Sequence, residues 1–283
     1  MKKIFKRLII FFIGFPVILA VVVFLPQFNH LISNLVVVTF TALAAVEFRN
    51  ILAHKNIVIS VPESAILGAT CPAAWAAVIS FGLSVFIIPG AFILGASWLL
   101  VSRIFTSRKK LESCLEKIAA GFSIMIYPGL FVAWIIQMAA LHHASMVILM
   151  FFLITLMNDA TAWAAGLLFG KNNRGLVAAS PNKSIAGFIG GLFMSALMGF
   201  LAAVFISGAF SSRVMPSIPA CIILGLGTGI AAILGDLGES AIKRSAGVKD
   251  SGSLIMGRGG ALDSIDSLTL AAPVYYLLYW VLF

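Results

Sequence analysis

The sequence has little charge. Asp, Glu, Lys and Arg make up 10% of its 283 residues, against about 25% in ordinary soluble domains. Hydrophobic residues make up 61%. The charged residues are clustered, which leaves apolar runs long enough to cross a hydrocarbon core of roughly 30 Å. These properties exclude an ordinary soluble domain and predict an all-α, polytopic membrane helical bundle.

Cysteine is also scarce, and its pattern excludes two classes of site. The three cysteines, Cys71, Cys114 and Cys221, have no metal-like spacing. Cys71 and Cys221 lie in apolar runs, which favours buried thiols and makes disulfides unexpected.

The apolar runs predict about nine transmembrane helices. A boundary near Gly82 divides one nearly continuous apolar stretch, 65–105. The first run has no clear small-residue cleavage site before Pro26, so we expect an uncleaved helix rather than a signal peptide. The predicted spans are 8–26, 31–52, 65–82, 84–105, 118–141, 145–168, 185–209, 217–235 and 268–283.

The distribution of positive charge predicts the orientation of these spans. With the N-terminus in the cytoplasm, Arg213 alone among the 19 Lys and Arg residues falls on the outer side. This bias follows the positive-inside rule and places the chemistry at the cytoplasmic face of an inner membrane. We expect residues 1–117 to form N-terminal helices and a basic, lipid-attracting loop, and 118–283 to form the catalytic region.

The most polar stretch of the chain is 235–267. Five of the ten acidic residues lie there among four cations and seven glycines. Carboxylates hold divalent metals, cations bind phosphate, and glycines allow close backbone approach, so the mixture predicts a metal–nucleotide site. The acids are Asp236, Glu239, Asp250, Asp263 and Asp266, and the cations are Lys243, Arg244, Lys249 and Arg258.

The local pattern of this stretch predicts two helical ends joined by an irregular segment. Residues 236–243 extend the eighth span, which places Asp236, Ser240 and Lys243 or Arg244 on one face. The segment 247–260 is too rich in glycine to be regular. Asp263 and Asp266 share a face at the start of the ninth span, although two acids there could simply complement the helix dipole.

Two upstream features are further candidates. Asp159 falls within the sixth predicted span, where burying an ionisable group in the membrane is costly, so a functional role is favoured. The alternative is that its side chain reaches the headgroup region. In the loop 170–187, Ser180 or Asn182 could cap the next helix, and Lys183 beside that N-terminus suits phosphate. The alternative is an ordinary basic loop.

Small residues recur every four positions on the seventh span. This spacing predicts a helix-packing face formed by Gly187, Gly191, Ser195 and Gly199. The eighth span has the same spacing of small residues at Gly225 and Gly229.

At these residues the chain resembles the phosphatidate cytidylyltransferases, also called CDP-diacylglycerol synthases. The resemblance is firm over about 155–270. The matching positions of the family signature are Ser240, Lys243, Arg244, Lys249, Asp250, Gly252, Gly257, Gly259, Gly260, Asp263 and Asp266. Asp236, Glu239, Asp159, Ser180, Lys183 and Gly187 also match.

The resemblance implies that CTP and phosphatidate give CDP-diacylglycerol and pyrophosphate, with Mg²⁺ and a monovalent cation (K⁺). It implies that Asp236 and Asp263 ligate the metal and that Lys243, Arg244, Asp250 and Asp266 act in catalysis. Substrate-binding roles are implied for Ser240, Lys249, Arg258, Gly259, Gly260, Lys183, Ser180, Asp159 and Glu239. The implied partners are these substrates and anionic membrane lipid, with no nucleic acid; a homodimer stays open.

Several positions depart from the family pattern. Arg258 stands for the family histidine, Met256 for a proline, Ser264 for an arginine and Ala186 for a glutamate. We hypothesise that Arg258 supplies the cation missing at Ser264. The alternatives are another CTP-dependent lipid cytidylyltransferase, a lipid kinase, a weakly active paralogue or, from a different class, a transporter. Transport is the least favoured, because charge concentrates in cytoplasmic loops.

Overall fold

The computed structural model describes residues 14–104, 111–212, 214–255 and 259–283. These residues form nine helices and no named β-strand. The helices are α1 (Phe15–Phe24), α2 (Gln27–Ala53), α3 (Val61–Phe81), α4 (Ile87–Ile104), α5 (Cys114–Ala140), α6 (Ala144–Phe169), α7 (Ile185–Phe205), α8 (Ser217–Ser245) and α9 (Leu262–Leu282).

Eight of the helices in the described parts of the chain, α2 to α9, are long and apolar enough to cross a membrane. The all-α, polytopic architecture expected from the sequence is therefore confirmed. The first predicted span, 8–26, begins at residues outside the described part, and α1 covers 10 residues of it.

The helix boundaries follow local backbone signals. Gly82 has a left-handed φ of 65° and ends α3 before α4 begins at Ile87, so the predicted division of 65–105 is confirmed. The φ angles are positive at Phe28, Asn29 and His30, so the regular right-handed part of α2 begins after them. This start agrees with the predicted span 31–52.

Helix α5 is irregular in its middle. Residues Met125–Leu130 form a π-helical turn that contains Pro128. Proline removes a backbone donor, and a π-helical turn is one way in which a membrane helix absorbs that loss.

The chain divides into two compact units. The first unit comprises Met1–Ala140 and Ser245–Ile265, and the second comprises Leu141–Arg244 and Asp266–Phe283. The polar stretch 235–267 therefore contributes to both units. The predicted division of the chain at residue 117 stays a prediction.

In the first unit, small residues bring helices close together. A Cβ at Gly68 of α3 would overlap the Ala45 side chain of α2, and a Cβ at Gly129 of α5 would lie 2.8 Å from the Gly68 carbonyl oxygen. Trp75 donates a 2.7 Å hydrogen bond to Gln137, which gives its buried indole N–H an acceptor in α5.

In the second unit, the predicted small-residue face on α7 is confirmed. A Cβ at Gly187 would lie 2.8 Å from the Ala162 carbonyl oxygen of α6, and one at Gly225 of α8 would overlap the Ser195 carbonyl oxygen. Asn158 of α6 donates a 2.8 Å hydrogen bond to Ser195 inside this packed region. Close backbone approach therefore sets the positions of α6, α7 and α8 in the second unit.

Candidate active site

In the second unit, the extended end of α8 carries an acidic and basic face. The helix continues to Ser245, which confirms the predicted extension beyond residue 235. Glu239 is completely buried, and Lys243, one turn later, is 8% exposed. The Lys243 Nζ lies 2.5 Å from Glu239 Oε2, so the two charges compensate each other in a region that excludes water.

Lys183 brings a second cation to this face. It precedes α7, and its Nζ donates to Asp236 Oδ2 at the start of the α8 extension. The two side chains are 25% and 30% exposed, so the pair is more accessible than the pair formed by Lys243. A predicted phosphate-binding lysine and a predicted metal-binding aspartate therefore contact each other directly.

The cap of α7 was predicted wrongly. The capping side chain is Ser184, whose Oγ accepts a 3.0 Å hydrogen bond from the Gly187 N–H, rather than Ser180 or Asn182. Ser184 has the extended backbone that an N-cap needs, whereas Ser180 accepts a 3.1 Å bond from the Lys183 N–H through its carbonyl oxygen in the preceding turn. Lys183 is therefore adjacent to the N-cap.

Two more carboxylates complete this cluster. Asp266 of α9 interacts electrostatically with Asp236, Glu239 and Asp159. Ser267 links two of these acids, because its Oγ donates to Asp159 Oδ2 at 3.0 Å and its N–H donates to Asp266 Oδ1 at 2.6 Å. Four carboxylates thus come together with two lysines in the second unit.

A glycine makes this arrangement of α8 and α9 possible. A Cβ at Gly235 would lie 2.5 Å from the Asp266 carbonyl oxygen. The absence of a side chain at Gly235 therefore allows α9 to pack against α8 at Asp266, next to the acidic groups.

In the first unit, Asp263 accepts hydrogen bonds from the backbone and from a hydroxyl group. Its Oδ2 accepts hydrogen bonds from the Gly260 N–H at 2.8 Å, the Ser251 N–H at 2.9 Å and the Ser251 hydroxyl at 2.9 Å. Gly259 has a φ of 110°, a conformation that side chains disfavour, and a Cβ there would overlap the Asp263 carboxylate. The glycines before α9 thus let the backbone wrap around this acid.

The remaining candidates of the segment between α8 and α9 have different environments. Lys249 and Asp250 are exposed, as is Arg244 at the end of α8, while Ser240 is partly buried. Arg258 lies outside the described residues, so the idea that it supplies the cation missing at position 264 stays a hypothesis. Ser264 itself donates a 3.0 Å hydrogen bond to the Gly260 carbonyl oxygen.

Comparison with known proteins places this chain in a family. The model of the cytidylyltransferase family matches residues 5–282. The chain belongs to the cytidylyltransferase family. This finding confirms the family that the signature residues suggested.

Individual relatives of the family are similar over part of their length. The phosphatidate cytidylyltransferase of Haemophilus influenzae is 39% identical over 142 residues, which cover 49% of this chain and 47% of the relative. Those of Synechocystis sp. and Staphylococcus aureus are 40% identical over 129 and 131 residues, covering 44% and 46% of this chain and 42% and 48% of the relatives. The chain spans about half the length of the curated relatives it matches.

The predicted metal ligands of this cytidylyltransferase-family chain fall in different units. Asp236 belongs to the second unit and Asp263 to the first, so their joint ligation of one ion stays a prediction. Within the described ranges, no three His, Cys, Asp or Glu side chains form a group with metal-binding geometry.

Two residues of the first unit, Glu47 and Ser251, make contacts that were not predicted from the sequence. Glu47 of α2 accepts hydrogen bonds from Ser251 and from the Leu262 N–H at the start of α9. Glu47 could have been found by the reasoning applied to Asp159, because it is an acid inside an apolar run. Ser251 carries no comparable signal, since serine is common in loops.

Proposed function

We propose that this member of the cytidylyltransferase family transfers the cytidylyl group of CTP to phosphatidate, giving CDP-diacylglycerol and pyrophosphate. The observation that carries the proposal is the cluster of the second unit, in which two lysines lie among four carboxylates at the ends of membrane-spanning helices. The names of the relatives, phosphatidate cytidylyltransferase, support the same reaction.

The chemistry is a displacement at phosphorus. An oxygen of the phosphatidate phosphate forms a bond to the α-phosphorus of CTP, and the bond from that phosphorus to the oxygen that bridges it to the β-phosphorus breaks. Pyrophosphate leaves with the electron pair of that bond. A phosphomonoester has its second pKa near 6 and is a competent nucleophile at neutral pH, so Arg258 in place of the family histidine is compatible with the reaction.

The cations of the cluster bind the phosphates in this proposal. Lys183 and Lys243 are now paired with Asp236 and Glu239. An arriving triphosphate competes for these ammonium groups, and the more exposed Lys183 is the easier one to recruit. Arg244 and Lys249 are exposed and contribute further positive charge. Ser180, Ser240, Asp250, Gly259 and Gly260 complete substrate binding by analogy with the family signature.

A divalent cation fits the donor set of this proposed site. The ligand atoms are carboxylate oxygens, which Mg²⁺ prefers, and the carboxylates of the second unit outnumber its two paired lysines. By analogy with the family signature, Asp236 and Asp263 would each be a metal ligand, and Asp159, Glu239 and Asp266 add negative potential within the second unit. When bound, Mg²⁺ would neutralise the charge that develops on the phosphates. We also propose a monovalent cation, K⁺.

The membrane-spanning helices of this multi-pass protein support a placement for the site. We propose that the N-terminus and the cluster face the cytoplasm and that the protein resides in the inner membrane, because 18 of the 19 Lys and Arg residues then lie on the inner side. A reporter enzyme fused after Phe283 should be active on the outer side. A cytoplasmic signal from that fusion would reject nine spans with this orientation.

The decisive experiment follows the label of CTP into lipid. Detergent-solubilised protein is incubated with phosphatidate and CTP that carries ³²P at either the α or the γ position. Label from the α position should enter the lipid fraction, and label from the γ position should appear in pyrophosphate. Transfer of the γ label to lipid would instead identify a lipid kinase, and no transfer from either position to phosphatidate would reject the proposal.

A further inference from the structure

Glu47 is a buried carboxylate in a membrane-spanning helix of the first unit. It lies in α2 and is 8% exposed. No Lys, Arg or His of the described residues forms an ion pair with it. A buried charge without an ionic partner is costly unless hydrogen bonds stabilise it, so the contacts that Glu47 makes indicate why the chain retains it.

The first contact is with the start of α9. The Leu262 N–H donates a 2.8 Å hydrogen bond to Glu47 Oε2 across 215 positions of sequence. Leu262 is the first residue of α9, and N–H groups in a first turn have no acceptor within their own helix. Glu47 therefore caps α9 from another helix, and its charge is favourable at that end of the helix dipole.

The second contact is with the segment that precedes α9. The side chain of Glu47 occupies the space beside two glycines. A Cβ at Gly252 would lie 2.5 Å from Glu47 Oε1, and a Cβ at Gly260 would overlap Oε2. The backbone at Gly252 and the backbone at Gly260 thus both approach the carboxylate of Glu47.

The third contact connects Glu47 to Asp263. The Ser251 hydroxyl lies 3.0 Å from Glu47 Oε2 and 2.9 Å from Asp263 Oδ2. A hydroxyl has one proton, so it donates to one of the two carboxylates at a time. Glu47 gives this proton a second acceptor, which allows Asp263 to release the hydrogen bond without leaving the buried Ser251 hydroxyl unsatisfied.

We propose that Glu47 is a positioning residue for the reaction, acting through Ser251 and the first turn of α9 to hold the carboxylate of Asp263 in its reactive direction. This inference rests on the proposed function for its catalytic consequence. Its structural part, that Glu47 holds Ser251, Gly252, Gly260 and Leu262 in place, is independent of any substrate.

The test compares three variants of the full chain in detergent: Glu47→Ala, the nearly isosteric Glu47→Gln and the control Glu112→Gln. Glu112 is exposed in the same unit. Hydrogen–deuterium exchange is followed by mass spectrometry for peptides covering 251–265 and, as an internal reference, α7. Formation of CDP-lipid gives kcat and the KM for CTP.

We expect Glu47→Ala to accelerate exchange across 251–265 by about tenfold or more, because losing a hydrogen bond to a charged acceptor changes a local opening equilibrium by at least about that factor. Exchange in α7 should stay unchanged. The same variant should lower kcat by about 100-fold with little change in KM, because misplacing a catalytic group by about 1 Å has an effect of that size. Glu47→Gln should lie between, since its amide oxygen still accepts from Leu262.

Two outcomes would overturn the inference. One is exchange across 251–265 that matches the parent in Glu47→Ala; the other is exchange that rises equally in all helices, which would indicate a general packing role. If the parent protein makes no CDP-lipid from phosphatidate, the proposed function fails, yet the exchange data still decide whether Glu47 orders the segment.

Discussion

Asp263 in the first unit and Asp236 in the second were predicted to do the same task, and the protein holds them by different means. Two backbone N–H groups and the Ser251 hydroxyl, whose proton is shared with Glu47, hydrogen-bond to one oxygen of Asp263. Asp236 is paired with the ammonium group of Lys183. Backbone and hydroxyl donors fix the direction of a carboxylate, whereas a lysine holds a carboxylate through a long, mobile side chain.

This difference suggests different behaviour when a substrate arrives. Two backbone groups and a short hydroxyl side chain hydrogen-bond to Asp263, so its Oδ2 atom is held in place beforehand. The partly exposed pair of Asp236 and Lys183 can exchange partners at little cost. We therefore regard Asp263 as the preorganised group and Asp236 as the adaptable one.

The largest effect is expected from removing the charge of either acid. Asp236→Asn and Asp263→Asn should each abolish turnover, a loss of at least about 3 kcal/mol in transition-state stabilisation, because asparagine keeps the shape but lacks the charge. The measurement is CDP-lipid formation against Mg²⁺ concentration for each purified variant.

Glu112→Gln is the matched control and should leave CDP-lipid formation nearly unchanged. Parent-like activity of Asp263→Asn with unchanged metal dependence would reject the metal assignment and leave this carboxylate as a helix-capping group.

A slightly smaller effect, on stability, is expected at the buried pair of the second unit. Lys243→Met should lower the free energy of unfolding by about 3 kcal/mol, because it removes the ammonium group that compensates the fully buried Glu239. Thermal unfolding in detergent measures the change.

Lys171→Met, at an exposed position of the same unit, serves as the comparison and should change stability by less than about 0.5 kcal/mol. Equal effects of the two substitutions would show that burial does not distinguish these two cations.

The smallest effect is expected for the accessible pair. A double-mutant cycle with Lys183→Gln and Asp236→Asn should give a coupling of about 0.5–1 kcal/mol in unfolding free energy, as is typical of partly exposed ion pairs. Lys171→Gln, from the same loop, should show no coupling with Asp236→Asn. A coupling above about 2 kcal/mol would mean that Asp236 is held as firmly as Asp263 and would remove the distinction drawn above.

The sequence by itself determined the class of architecture and most of the span boundaries. Apolar runs must reach the length of a bilayer, and glycine with a left-handed φ ends a helix, so residues such as Gly82 act through local chemistry. The packing face from Gly187 to Gly199 could also be predicted, because residues four positions apart lie on the same face of a helix. The signature residues indicated the family for the same reason, since they lie within one short stretch.

Only the tertiary structure decided which charged groups meet. Glu47 and Leu262 are 215 positions apart, and Lys183 and Asp236 are 53 apart, so no local periodicity connects them. The choice of Ser184 over Ser180 as the cap of α7 depended on backbone angles that three neighbouring polar residues could each have supplied. Burial then set the strength of each contact, because a charge pair or a hydrogen bond is worth more where the folded chain excludes water.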